Sequence, residues 1–289
     1  MYFNKNVSME KKPEKVNAEF PINKINLYTA IPIVLMCLGL LYLIAPITFV
    51  LIRGTSQMPS IVCSLLVQII TIIWFVWQVK NNRIPLSQIF TKPKRAITFL
   101  PLILMQISDW LFFTPLFMYV SVLTASESTS QIFLNLGQTE LALWSINAII
   151  FTPIAEEIVF RLIIMNKIKI KLGAKWAIII SSVLFSLFHI RNGWENTLHA
   201  LFLGFFYSIL YEYTGSLKAS TIMHAINNSI VVLSIYIFKS FFEKIIFSRE
   251  TILVFTLLLF TGGIYIIWFF IHYSRILVKS QQSITEDNL

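Results

Sequence analysis

The sequence predicts an all-α protein, a polytopic transmembrane helical bundle of about eight spans, and three observations carry that prediction. Of the 289 residues, 56% are hydrophobic and only 13% charged, with a mean hydropathy of +0.74, whereas soluble domains carry about 25% charged residues. Apolar runs recur near the ~20 residues that a helix needs to cross a bilayer. The basic residues cluster between those runs, so the positive-inside rule accounts for the net charge of +9. A nucleic-acid partner is thereby rejected, and the lipid bilayer is the partner that composition names.

Residues 1–26 are polar and mixed in charge, too long and too acidic for a signal-peptide n-region. They read as a cytoplasmic N-terminal segment. The first apolar run, Leu27 to Ile52, is too long for a signal h-region and reads as a retained anchor. The second runs from Pro59 to Val79 and is followed by a basic stretch with Lys80, Arg83, Lys92, Lys94 and Arg95. The third, Ala96 to Leu123, carries Asp109 near its middle, where an acid faces protein rather than lipid. A helix-packing contact is the default reading of Asp109. The loop from Thr124 to Glu140 has no basic residue and is expected outside.

The fourth span, Leu141 to Met165, is followed by Lys167, Lys169, Lys171 and Lys175. The fifth runs from Trp176 to Ile190, and the sixth, Leu198 to Tyr211, is short and aromatic. Gly215 supplies turn chemistry before a seventh span from about Ala219 to Phe238. The eighth, Thr251 to Tyr273, precedes a polar cytoplasmic tail, 274–289. With both termini inside, 17 Lys and Arg lie in cytoplasmic segments and 5 outside, Arg161 being within a span. That asymmetry predicts a multi-pass protein of the cell membrane with both termini cytoplasmic. The loop 239–250 is the weak point, because it is basic yet placed outside; its Phe241, Phe242, Ile245 and Ile246 suit an interfacial helix. Cys37 and Cys63 both fall in spans and form neither a disulfide framework nor a cysteine metal motif. No internal repeat, low-complexity tract or soluble domain is visible.

The fourth span holds three charges, Glu156, Glu157 and Arg161. Each costs at least ~2.5–3.5 kcal/mol to insert, so three in one span need a reason. Spacing i to i+4 lets Glu157 pair with Arg161, and Glu156, about 100° round the helix, is left for other work. A structural ion pair between helices is the plain alternative. Against it stand two further motifs, Phe185-Ser-Leu-Phe-His189 and His224-Ala-Ile-Asn-Asn228. At ~1.5 Å rise per residue, Glu156 lies about 16 Å from Lys167, His189 about 21 Å from Lys175, and Asn228 about 15 Å from Lys218. These groups reach one level of the bilayer, and His224 and Asn228 share a helix face.

The chemistry on offer is hydrolytic. Glu156 can act as general base toward water, His189 can share that water or hand a proton to a leaving amine. His224 and Asn228 can donate hydrogen bonds to the oxyanion of a tetrahedral intermediate. Glu156, His189 and His224 are equally a His₂Glu set for a divalent metal such as zinc, and the spacing alone does not separate metal-bound from carboxylate-held water. No serine nucleophile elbow, Gly-rich phosphate loop or HExxH helix is present. His199 and His272 have no partner motif and read as packing or interfacial residues.

Taken in order, Glu156-Glu157-x-x-x-Arg161, Phe185-x-x-x-His189 and His224-x-x-x-Asn228 resemble the CPBP family of intramembrane proteases, which includes CAAX prenyl endopeptidases and bacteriocin-processing or immunity proteins. The stretch Leu203 to Ser216 and Leu217 fits the family's link between its last two motifs, and the resemblance covers about residues 141–235. It implies a transmembrane protease domain over 27–273 with its core motifs at 141–235, and an intramembrane site opening toward the cytoplasm. It implies that Glu156 and His189 activate water, that Glu157 and Arg161 support them, and that His224 and Asn228 serve the oxyanion side or a metal. The leading expectation is an endopeptidase acting on a peptide or a membrane-associated, CAAX-like protein. A non-catalytic immunity factor or scaffold is the second reading; a transporter is disfavoured for want of a repeat.

Overall fold

The computed structural model describes residues 20–30, 36, 39–51, 56–90, 99–124, 136–190, 193–243 and 249–286. Among these residues there is helix and turn and no strand. The protein is an all-α membrane bundle. Four helices are long and apolar enough to cross a bilayer: Met58–Asn81, Phe99–Phe117, Leu217–Ile237 and Thr251–His272. Their outer faces carry exposed apolar side chains, among them Ile73, Val76, Leu253 and Ile264, the surface a bilayer covers.

After two single turns at Ile22–Lys24 and Leu27–Thr29 and a short helix α1 (Ala45–Leu51), α2 (Met58–Asn81) is the first long helix. A one-turn α3 (Leu86–Ile89) leads toward α4 (Phe99–Thr124). The fourth expected span is interrupted twice: it comprises α5 (Gln138–Ile146), a wide π-type turn Asn147–Phe151, α6 (Thr152–Glu157) and a second wide turn Ile158–Met165. The chain continues directly into α7 (Asn166–Phe188), which carries the fifth. α8 is Trp194–Thr214, α9 Leu217–Glu243 and α10 Arg249–Glu286.

Several boundaries move relative to expectation. α8 is 21 residues long, so the sixth segment is not short; it begins at Trp194 and takes in the polar Glu195 and Asn196, which precede the expected start at Leu198. α9 extends into the loop 239–250, whose residues 244–248 lie outside the described ones. α10 continues through most of the expected tail, since nothing in 274–286 breaks a helix. Most of the N-terminal segment, Cys37 and the loop 125–135 also lie outside the described residues.

Two features place the functional side chains. Lys171 and Lys175 straddle Gly173, whose φ of 79° breaks α7, so the helix proper restarts just before Trp176. Gly215, at φ 62°, ends α8 in the left-handed conformation and turns the chain into α9. α8 packs against α7 and α9, α9 against α4 and α6, and α2 against α6. The short α6 is thus enclosed by α2 and α9. At the other end of α5, Glu140 accepts from Ser56 and from the backbone N–H groups of Gln57 (2.8 Å) and Met58 (3.1 Å), tying α5 to the start of α2. The Ser56 bond leads the effects that hold its carboxyl below the usual range, outweighing burial.

Candidate active site

Glu156 and Glu157 end α6, between the two wide turns. Such turns concentrate at functional sites because they free backbone carbonyls and re-aim side chains. The first of them explains how Pro153 is accommodated. The Thr152 N–H reaches back to Asn147 O, and Pro153 has no N–H to offer Ala148 O. That carbonyl is taken instead by Asn228 Nδ2 at 2.7 Å. Pro153 is therefore accommodated by a wide turn whose orphaned carbonyl is capped from α9.

Glu157 and Arg161 are both fully buried and pair across one turn, Arg161 Nη1 lying 3.5 Å from Glu157 Oε1. Arg161 also donates from Nη2 to Gly204 O at 3.1 Å. Glycine is needed there, because a Cβ at 204 would meet the Ser182 backbone at 3.1 Å. The guanidinium lies over the Phe185 ring at 4.5 Å, with Tyr207 5.5 Å away. A cation so enclosed is held by one carboxylate, one carbonyl and two aromatic faces.

Phe185 gives the second motif its physical sense. Its ring lies against Arg161, and its carbonyl accepts from His189 Nδ1 at 2.8 Å. A carbonyl can only accept, so Nδ1 carries the proton and neutral His189 presents Nε2 as a lone pair. Nε2 faces Glu156 Oε1 at 4.0 Å. The third motif repeats the pattern. His224 Nδ1 lies 3.1 Å from Glu157 Oε1, which fixes that nitrogen as donor, and Nε2 faces Glu156 Oε2 at 3.8 Å. The Tyr207 ring stacks on His224 at 4.7 Å and 18°.

Five of the six expected residues thus meet in one cluster, Glu156, Glu157, Arg161 and His224 buried and His189 partly exposed at its edge, and Asn228 sits on Ala148 beside it. The two imidazoles approach different oxygens of the Glu156 carboxylate, and neither comes within hydrogen-bond length. Glu156 Oε2 has no hydrogen-bond partner among the described residues. A metal held by Glu156, His189 and His224 would need all three around one point at about 2.0–2.2 Å. No group of three His, Cys, Asp or Glu side chains placed to hold a metal ion occurs among the described residues.

A second buried polar cluster was not foreseen. Asp109 is 1% exposed and accepts from His199 Nε2 at 3.0 and 2.9 Å and from Asn227 Nδ2 at 3.0 Å. Asn227 also donates to Gln106 Oε1 at 2.9 Å. His199 thus has a partner, 90 residues away, and Asp109 is the packing contact that was the default for it. The available signal was Gln106 and Asp109 at i and i+3, a polar face in an apolar span. His272 stacks on Trp268 at 5.2 Å.

Residues 138–230 match the model of a family described as type II CAAX prenyl endopeptidase Rce1-like. The match covers all six motif residues and supports a CPBP-family intramembrane protease of CAAX type. No curated protein and no solved structure matches the chain. Asp109 and Gln106 lie outside the matched stretch.

Proposed function

We propose that the protein is an intramembrane endopeptidase of the cell membrane, both termini cytoplasmic, that hydrolyses a peptide bond in a membrane-associated or CAAX-like substrate through water activated by Glu156 and His189. The observation that carries this is Glu156 itself, a buried carboxylate approached by two imidazole lone pairs yet bonded to neither. Acceptors 4.0 Å apart suit one water donating a hydrogen bond of about 2.8 Å to each.

Glu156 takes one proton of that water as its oxygen attacks the scissile carbonyl carbon. The tetrahedral oxyanion then collapses, the C–N bond breaks, and the proton on Glu156 passes to the leaving nitrogen. The carboxylate is restored, and the products are a carboxylic acid and an amine. Glu157 holds His224 and Arg161 in place throughout; Arg161 offsets the second carboxylate charge.

The test is cleavage of a peptide library by the purified protein in detergent or liposomes, comparing wild type with Glu156→Gln and His189→Ala. Product must appear only with the wild type at comparable rates; equal cleavage by all three rejects the proposal. Hydrolysis is also expected to persist in strong chelators; loss that added zinc restores would assign the reaction to a metal.

A further inference from the structure

We propose that Tyr207 is a further catalytic residue, its hydroxyl donating a hydrogen bond to the carbonyl oxygen of the bound substrate and to the oxyanion that forms there; this rests on the protease reading above. Tyr207 is 0% exposed, and its hydroxyl has no hydrogen-bond partner among the described residues. Burying a hydroxyl unpaired costs about 1–3 kcal/mol. Phenylalanine at 207 would keep the apolar packing with Leu203, Phe206, Leu210 and Met223 without that cost. The hydroxyl is therefore left for a partner that the described residues do not supply.

Its position says what. The ring lies flat on His224, which faces Glu156, so Tyr207 forms part of the wall of the reactive cluster. The hydroxyl stands within electrostatic reach of Asp109, Glu157, Arg161 and Glu156. The hydroxyl bonds none of them: Asp109 has His199 and Asn227, Glu157 Oε1 has Arg161 and His224, and Glu156 Oε2 and Glu157 Oε2 are left without a donor among the described residues. Meanwhile one N–H of Asn228, the residue expected to serve the oxyanion, is committed to Ala148 O. A neutral donor against the histidine that flanks the general base fits a developing negative oxygen. The hydroxyl gives up no proton; it donates a hydrogen bond that strengthens as charge develops.

The experiment compares wild type, Tyr207→Phe, Tyr207→Leu and Glu156→Gln in peptide cleavage and thermal unfolding. Tyr207→Phe is expected to lower kcat about 10²-fold with KM nearly unchanged, while Tm holds or rises because an unpaired buried hydroxyl has gone. Tyr207→Leu, which also loses the stack on His224, should lower both kcat and Tm. If Tyr207→Phe cleaves at the wild-type rate while Glu156→Gln is inactive, the role for Tyr207 is overturned and the protease reading stands. If Glu156→Gln is itself as active as wild type, the protease reading fails first. A drop in Tm for Tyr207→Phe would show that the hydroxyl has a structural partner, and that too overturns the assignment.

Discussion

Two buried polar clusters share α9, which gives Asn227 to one and His224 to the other, and they are built to opposite rules. In the Asp109 cluster both carboxylate oxygens are bonded at 2.9–3.0 Å, by His199 and Asn227. In the Glu156 cluster the nearest imidazole nitrogens stand back at 3.8 and 4.0 Å, and one carboxylate oxygen is unbonded. A satisfied buried charge fixes helices against one another. An unsatisfied one is held at a cost, and that cost is tolerated where the group has chemistry to perform. The contrast separates structure from reactivity within a single bundle.

The sharpest way to break that contrast is to neutralise each acid. Glu156→Gln should reduce cleavage about 10²–10⁴-fold, the usual contribution of a general base, and leave thermal stability unchanged or raised. A Tm lowered by this substitution would mean that Glu156 has structural bonds like those of Asp109. Next in size is Arg161→Met, which strands Glu157 as a buried, uncompensated charge and should cost about 3–5 kcal/mol in denaturant unfolding. Adding Glu157→Leu should recover most of that stability without recovering activity, because His224 loses the carboxylate that orients it. Recovery of activity in the double variant would show that the pair is no more than a helix clamp.

Asp109→Ala should cost less, about 2–3 kcal/mol, as His199 and Asn227 lose an acceptor. Remaining activity should track the folded fraction, with KM unchanged. If Asp109→Ala abolished cleavage by fully folded protein, the second cluster would belong to the chemistry.

What was legible follows from distance along the chain. Glu157 with Arg161, Phe185 with His189, and His224 with Asn228 are all pairs four apart, and helical geometry makes such pairs visible without a structure. The convergence of Glu156, His189 and His224 followed from depth along antiparallel spans. His199 escaped because its partner is 90 positions away, and no local spacing joins them. Tyr207 escaped because an aromatic in an aromatic helix carries no signal until its hydroxyl is found unpaired. The bond from Asn228 was hidden for a different reason: its partner is a backbone carbonyl that becomes an orphan only when a wide turn meets a proline.

That bond yields the smallest and most specific prediction. If Asn228 caps Ala148 O, Asn228→Ala should cost about 1 kcal/mol of stability, the net worth of one hydrogen bond. Alanine at 153 would restore an N–H in position to reach Ala148 O across the wide turn. In a Pro153→Ala background the loss on removing Asn228 should therefore shrink, giving a coupling on the order of 0.5–1 kcal/mol in a double-mutant cycle. An oxyanion donor behaves otherwise: Asn228→Ala would lower kcat with Tm unmoved, and Pro153→Ala would not soften the effect. Both behaviours together would mean that the two N–H groups of one amide divide the work, one holding the turn that presents Glu156 and the other facing the substrate that Glu156 attacks through water.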